Sequence, residues 1–169
     1  MPYNVTTAGN DELTQMLESL GNAAQGVASA GLYEGAGVMA DAVSRSVRGI
    51  DTEPFHYAAD GHTRKPSPEE KALLEAAPKG VAKFRKTGTS VDTSVGLSSA
   101  GYGMLGNRLK PIPQIANAIN SGTSFMKKQP FFRKAASKTT PKAVQAMKNT
   151  IETAWSKIYH EVMEKYGGR

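Results

Sequence analysis

Apolar positions recur along this chain with two different periods. Leu13, Met16, Leu17 and Leu20 stand at i, i+3, i+4 and i+7, the spacing of one helix face, with Asn10 or Asp11 available as N-cap and Gly21-Asn22 as a stop. A second, longer helix is predicted over 23–50, marked by Val27, Leu32, Met39, Val43, Val47 and Ile50. Residues 91–99 alternate apolar and polar, the pattern of a half-buried strand, and 81–86 is its expected hairpin partner across Thr87-Gly88. Residues 3–7 are rich in β-branched and aromatic side chains and predict a further short strand. At the C-terminal end Val144, Met147, Ile151, Trp155, Ile158, Val162 and Tyr166 form a continuous helical stripe. That stripe predicts a closing helix over 130–166, with Trp155 among its core anchors. Pro141 is expected to break or restart this helix with Thr140 as cap, and Gly167-Gly168 to end it.

Between these periodic segments the pattern fails. Pro54, Gly61, Pro66, Pro68 and Pro78 interrupt residues 49–86, which are expected to form an inserted excursion at about 51–80. Inside it, Ser67 as cap, Pro68 at the first helical position and Glu69-Glu70 in the first turn predict a short helix over 68–77. Residues 101–107 are a turn-rich link. Residues 112–119, entered through Pro111 and Pro113, are an edge-strand or short-helix candidate, assigned to the sheet as a strand over 113–120. The expected fold is α+β: N-terminal helices and a long C-terminal helix packed on a small, mainly antiparallel β-sheet, in a single domain over 1–169.

Composition narrows the function classes. With 169 residues the chain is long enough for one real core. It has no cysteine, so disulfides, thiol catalysis and thiolate metal sites are excluded. The N-terminus, Met-Pro-Tyr-Asn-Val, has neither a basic nor an apolar leader region, and no apolar run approaches the ~18 residues of a membrane helix. The expectation is a soluble protein with no membrane partner. The net charge of +6 is unevenly placed: residues 1–104 carry nine Lys/Arg against twelve Asp/Glu, residues 105–169 twelve against three. A chain acidic at one end and basic at the other is suited to head-to-tail association or to docking on acidic surfaces.

Candidate chemistry is sparse. Asp51, His56, Asp60 and His62 have metal-ligand side chains but sit on a Pro/Gly-interrupted loop without a ligand-spacing motif, so they read as ordinary polar loop residues. His160 reads as a helix-surface histidine. There is no Gly-x-Ser-x-Gly elbow, P-loop or dinucleotide fingerprint. The expectation is a protein that is not an enzyme and needs no cofactor. Gly31 and Gly35, with Ala36, are small residues in a predicted helix. Either they admit close packing of another helix or a neighbouring subunit, or they mark a kink.

The stretch 120–136 changes character three times. Ser121-Gly122-Thr123-Ser124 is turn chemistry, with Gly122 free to take positive φ. Phe125, Met126, Lys127 and Lys128 would form an exposed apolar and basic tip, a candidate contact for a neighbouring subunit or acidic partner; the alternative is a tip folded back on its own domain. Pro130 then presets a helix first turn, and Phe131 and Phe132 would anchor it in the core. A Gly-Thr at a strand end, a short tip, and then Gln129-Pro130-Phe131-Phe132-Arg133-Lys134-Ala135 opening a long C-terminal helix resembles the tail-completion (neck, head–tail joining, minor tail component) family of tailed bacteriophages. Two positions depart from that family's usual form: Asn120-Ser121 stands before Gly122 in place of an aromatic or acidic residue, and Lys134 stands where proline is frequent.

The resemblance implies a structural virion protein that forms a homo-oligomeric ring, preferably a hexamer, at the head–tail junction. Its neighbours would be head-completion proteins and tail-terminator or tail-tube proteins, with DNA possible in the lumen. It would reside in the virion neck or tail, and in host cytoplasm during assembly. The alternative class is a basic nucleic-acid-binding protein, since net +9 over the last 65 residues could meet phosphates. Against it, the Lys and Arg residues read as spread around the closing helix, and no reader motif is visible.

Overall fold

A computed structural model describes residues 10–59, 61–77, 79–81, 85–87, 90–97 and 101–166. In chain order these form α1 (Asn10–Arg48), α2 (Pro68–Ala76), β1 (Gly80–Val81), β2 (Arg85–Thr87), β3 (Ser90–Asp92), β4 (Val95–Gly96), β5 (Tyr102–Leu105), β6 (Arg108–Pro111), α3 (Ile112–Ser121) and α4 (Phe131–Tyr166). The architecture is α+β, as expected. The predicted strand over 3–7 lies outside the described residues.

Helices α1 and α4 pair along most of their length and dominate the tertiary contacts. At a rise of 1.5 Å per residue, each is roughly 55 Å long. The expected stop at Gly21-Asn22 does not occur: the two predicted N-terminal helices are one, continuous through Gly21, Gly26, Gly31, Gly35 and Gly37. Packing on α4 outweighs the low propensity of those glycines. Ser19, Ser29 and Ser44 stay in the helix by donating to the carbonyls of Gln15, Gln25 and Ala40. Pro141 likewise sits inside α4 without ending it. It removes the amide that would reach the Ser137 carbonyl, but both residues are exposed, and Thr140 Oγ1 donates to the Ala136 carbonyl at 2.8 Å instead of capping a new helix.

The strands form three separate antiparallel pairs, β1–β4, β2–β3 and β5–β6, rather than one sheet. The predicted pairing is present but shifted: Arg85 faces Asp92, Thr87, expected in the turn, faces Ser90 within the strands, and the strand expected over 91–99 is divided into β3 and β4, with Val81 facing Val95. The turn-rich link over 101–107 is a second hairpin, with Leu105 opposite Arg108 and Gly106 at φ 57° in the two-residue loop. The strand expected over 113–120 is the helix α3. Ile112, Ile115, Ala116 and Ile119 are all buried, and their spacing of 3, 1 and 3 buries one face only in a helix. Pro113 sits in its first turn, where no amide is missed.

The core is gathered at one end of the α1–α4 pair. Val43 and Val47 at the end of α1 and Ile50 just after it meet Leu74 of α2, the buried face of α3, Met126, and Phe131 and Ala135 at the start of α4. Farther along the pair the buried side is thin and made of small groups. A Cβ at Gly31 would fall 2.5 Å from Ile151 Cγ1, and one at Gly35 would overlap the Met147 thioether.

Candidate interaction surface

The joint at 120–136 is built from its sequence outward. Ile119 closes α3 in the core, and Gly122 at φ 78° lets the chain leave the helix, its amide donating to the Ala118 carbonyl at 2.9 Å. A side chain at Gly122 would also press on Lys128 at 3.0–3.2 Å. Thr123 then organises the tip: its Oγ1 accepts from the Met126 amide at 3.0 Å, and its own amide donates to the Met126 carbonyl at 3.0 Å.

The tip is folded against the segment before α2. The Arg64 amide donates to the Phe125 carbonyl at 2.9 Å, and the Lys127 amide to the Arg64 carbonyl at 2.8 Å, a short parallel bridge. Extended backbone sends alternate side chains to opposite sides. Met126 is therefore 3% exposed in the core, whereas Phe125 is 51% exposed and Lys127 and Lys128 face solvent. The expectation that all four form an exposed tip is corrected for Met126. For Gly31 and Gly35 the close-packing alternative holds with another helix, and the assignment to a subunit interface is corrected. The structure gives them a partner within the chain, helix α4, so neither is a free surface for a neighbouring subunit. Trp155, taken as a core anchor, is 39% exposed on α4. Val144, on the same stripe, is 43% exposed as well, whereas Val162 is buried, so the facing helix covers the stripe unevenly along its length.

Beneath the tip, Arg64 and Glu70 form a buried two-pronged ion pair at 2.8 and 2.7 Å. Ser67 caps α2 as its sequence predicts, with Glu70 N donating to Ser67 Oγ and Ser67 N to Glu70 Oε2. Burial pushes the Glu70 carboxyl up, but hydrogen bonds from Arg64 and Ser67 outweigh it and hold the group below its ordinary value. Arg64 also lies over the Phe55 ring at 4.9 Å.

The Gln129-Pro130-Phe131-Phe132 run locks the start of α4. The Gln129 amide donates to the Ile119 carbonyl at 2.8 Å, and its side chain both accepts from the Asp51 amide (2.9 Å) and donates to the Asp51 carbonyl (2.8 Å). Ser46 Oγ of α1 donates to the Phe131 carbonyl at 2.9 Å, and the Phe132 amide donates to Asn120 Oδ1 at 3.1 Å. Phe131 is 2% exposed and Phe132 packs on the core margin, their ring centroids 4.7 Å apart. Both anchor the helix, Phe131 the more deeply.

Beside this joint, between the end of α1 and the start of α4, runs a groove of about 400 Å³. Its walls carry Arg45, Lys134, Lys138 and Lys142, and its lining contains no carboxylate. The sequence reading missed this surface by treating the cations of the closing helix as spread around it. Positions 134, 138 and 142 are four apart and share one helix face, a spacing that was legible; that Arg45 faces them was not.

Among the described residues no three His, Cys, Asp or Glu side chains come together to hold a metal ion. Of the polar loop residues considered, His56 lies 3.7 Å from Glu53, and Asp60 lies outside the described residues. No described helix is long and apolar enough to cross a membrane. Compared with protein-family models, with curated proteins and with solved structures, the chain matches none.

Proposed function

We propose that this chain is a structural component of a tailed-phage particle, a neck or tail-completion protein that forms a ring at the head–tail junction and joins the tail to the capsid connector. The observation that carries the reading is the joint at Gln129–Phe132. The residues on which the resemblance rests are those that bind the ends of α1, α3 and α4 to one another, through the Gln129–Asp51 pair of hydrogen bonds, the Ser46–Phe131 bond and the buried Phe131 ring. A structural part that transmits load between neighbours needs its surface elements held at a fixed angle. Here the exposed Phe125, Lys127 and Lys128 are held by backbone hydrogen bonds on one side and by the locked helix entry on the other. Together they form an apolar and basic contact for an acidic partner ring.

The variant Lys127→Glu/Lys128→Glu tests this. Both side chains are exposed and without an ion pair among the described residues, so the isolated protein should keep its melting temperature. In a phage carrying the reading frame, the variant should leave filled heads and free tails as separate particles, because like charges then face the partner. Normal plaque numbers with intact necks by electron microscopy would end the interface assignment. Normal particle yield after deletion of the whole frame would end the neck reading itself.

A further inference from the structure

We infer that the groove between α1 and α4 is a docking site for an acidic segment of a partner protein, one that alternates carboxylate and apolar side chains. The inference concerns a surface apart from the tip at Phe125–Lys128 and stands without the neck reading. Four cations, Arg45 from α1 and Lys134, Lys138 and Lys142 from α4, line a concave space of about 400 Å³. None of the four is ion-paired among the described residues, and no carboxylate lines the groove to neutralise them. Like charges one helical turn apart destabilise a helix. Three in a row on α4 therefore cost stability in the free chain, a cost that an anionic occupant removes.

The floor decides which anion. Two of its polar side chains are already engaged: Ser46 Oγ donates to the Phe131 carbonyl, and both ends of the Gln129 side chain are held by Asp51. Beside the hydroxyl of buried Thr139, the rest of the floor is apolar, including Ala42, Ile50, Phe131 and Ala135. Charge is thus offered only from the walls, and the floor is matched by an apolar side chain. A phosphodiester backbone has no apolar group to place there, and a duplex is too broad to enter a space of this volume. The lysines rise by roughly 6 Å per step along α4. Carboxylates on every second residue of an extended segment repeat at about 6.7 Å, close to that spacing.

The test uses the full-length chain and a fluorescein-labelled peptide of sequence Glu-Phe-Glu-Leu-Glu-Phe-Glu, read by fluorescence anisotropy. The peptide should bind, and Lys138→Glu/Lys142→Glu should weaken it by at least about tenfold, since like-charge juxtaposition then opposes docking. Lys110→Glu/Lys148→Glu, away from the groove lining, should leave affinity unchanged. Circular dichroism checks that helicity is retained, and Lys138→Gln/Lys142→Gln serves as a milder variant, expected to weaken binding in the same direction. Replacing Phe and Leu of the peptide by Ser should also weaken it, and a 20-base-pair duplex should not displace it. Failure of the peptide to bind, equal weakening by both reversal variants, affinity unaffected by the Ser replacements, or displacement by duplex through the same lysines would each overturn the inference; the last would identify a nucleic-acid surface.

Discussion

Glu70 is the most consequential single charge in the described structure. Its side chain is 5% exposed and holds Arg64 in a two-pronged pair. Removing one partner of a buried pair leaves the other charge uncompensated, so Glu70→Gln should destabilise the fold by about 3–5 kcal/mol, read by urea denaturation. The double change Arg64→Met/Glu70→Leu should cost less than Glu70→Gln alone. The pair also sets a pH dependence. A carboxyl held below its ordinary value contributes its full stabilisation above that value, about pH 4.3, and loses it as pH falls towards the depressed one. Acid titration of wild type should therefore show a loss of stability below about pH 4.5 that the double variant lacks. Two glycines of α1 make an opposite pair of cases. Around Gly26 a Cβ meets nothing within 4 Å, so Gly26→Ala should stabilise by roughly 0.5–1 kcal/mol. At Gly35 the same change runs into Met147 and should lower the melting temperature instead.

At the scale of elements, α4 depends on its first turn. Its first third carries Pro141, and Val144, Trp155, Tyr159 and Met163 are exposed along it, so neither propensity nor deep burial holds the whole helix. The holding force is concentrated where Phe131 enters the core. Phe131→Ala should cost about 3–5 kcal/mol by chemical denaturation. Phe132→Ala should cost clearly less, because Phe132 is only half-buried. Equal losses would show that the entry turn is shared evenly between the two rings. The short strands have the converse dependence. Each pairs with one partner only, and β5–β6 leaves Tyr102, Met104 and Leu109 exposed, so their place is set by contacts with α2 and α3.

For the whole molecule, the core at one end and the long helix pair at the other divide the work. The end of α1, α2, α3 and the start of α4 supply most buried apolar volume, and the tip and the cationic groove both border that region. The two proposed contact surfaces thus lie beside the best-packed part, which keeps their geometry fixed. Three of the groove's four cations come from the basic C-terminal part of the chain, and one, Arg45, from the acidic N-terminal part.

Where short-range physics dominates, the sequence alone determined the outcome. The capping box of α2, the antiparallel pairing of β2 with β3, the helix entry at Pro130-Phe131 and the α+β class all follow from dihedral preferences, local hydrogen bonds and apolar period. The helix at 112–121 was legible locally, since Ile112, Ile115, Ala116 and Ile119 stand at i, i+3, i+4 and i+7. Tertiary structure decided the rest, because the deciding groups are distant in sequence. Whether Gly21-Asn22 and Pro141 end a helix depended on the opposite helix lying alongside. Met126 turned inward because Arg64, 62 positions earlier, holds the backbone of Phe125 and Lys127 on either side of it. The groove exists only because Arg45 is brought to a lysine face some ninety residues away in the chain. Local energies of about a kilocalorie per residue choose turns and caps, but burial of a shared core, worth far more in sum, chooses among the alternatives they leave open.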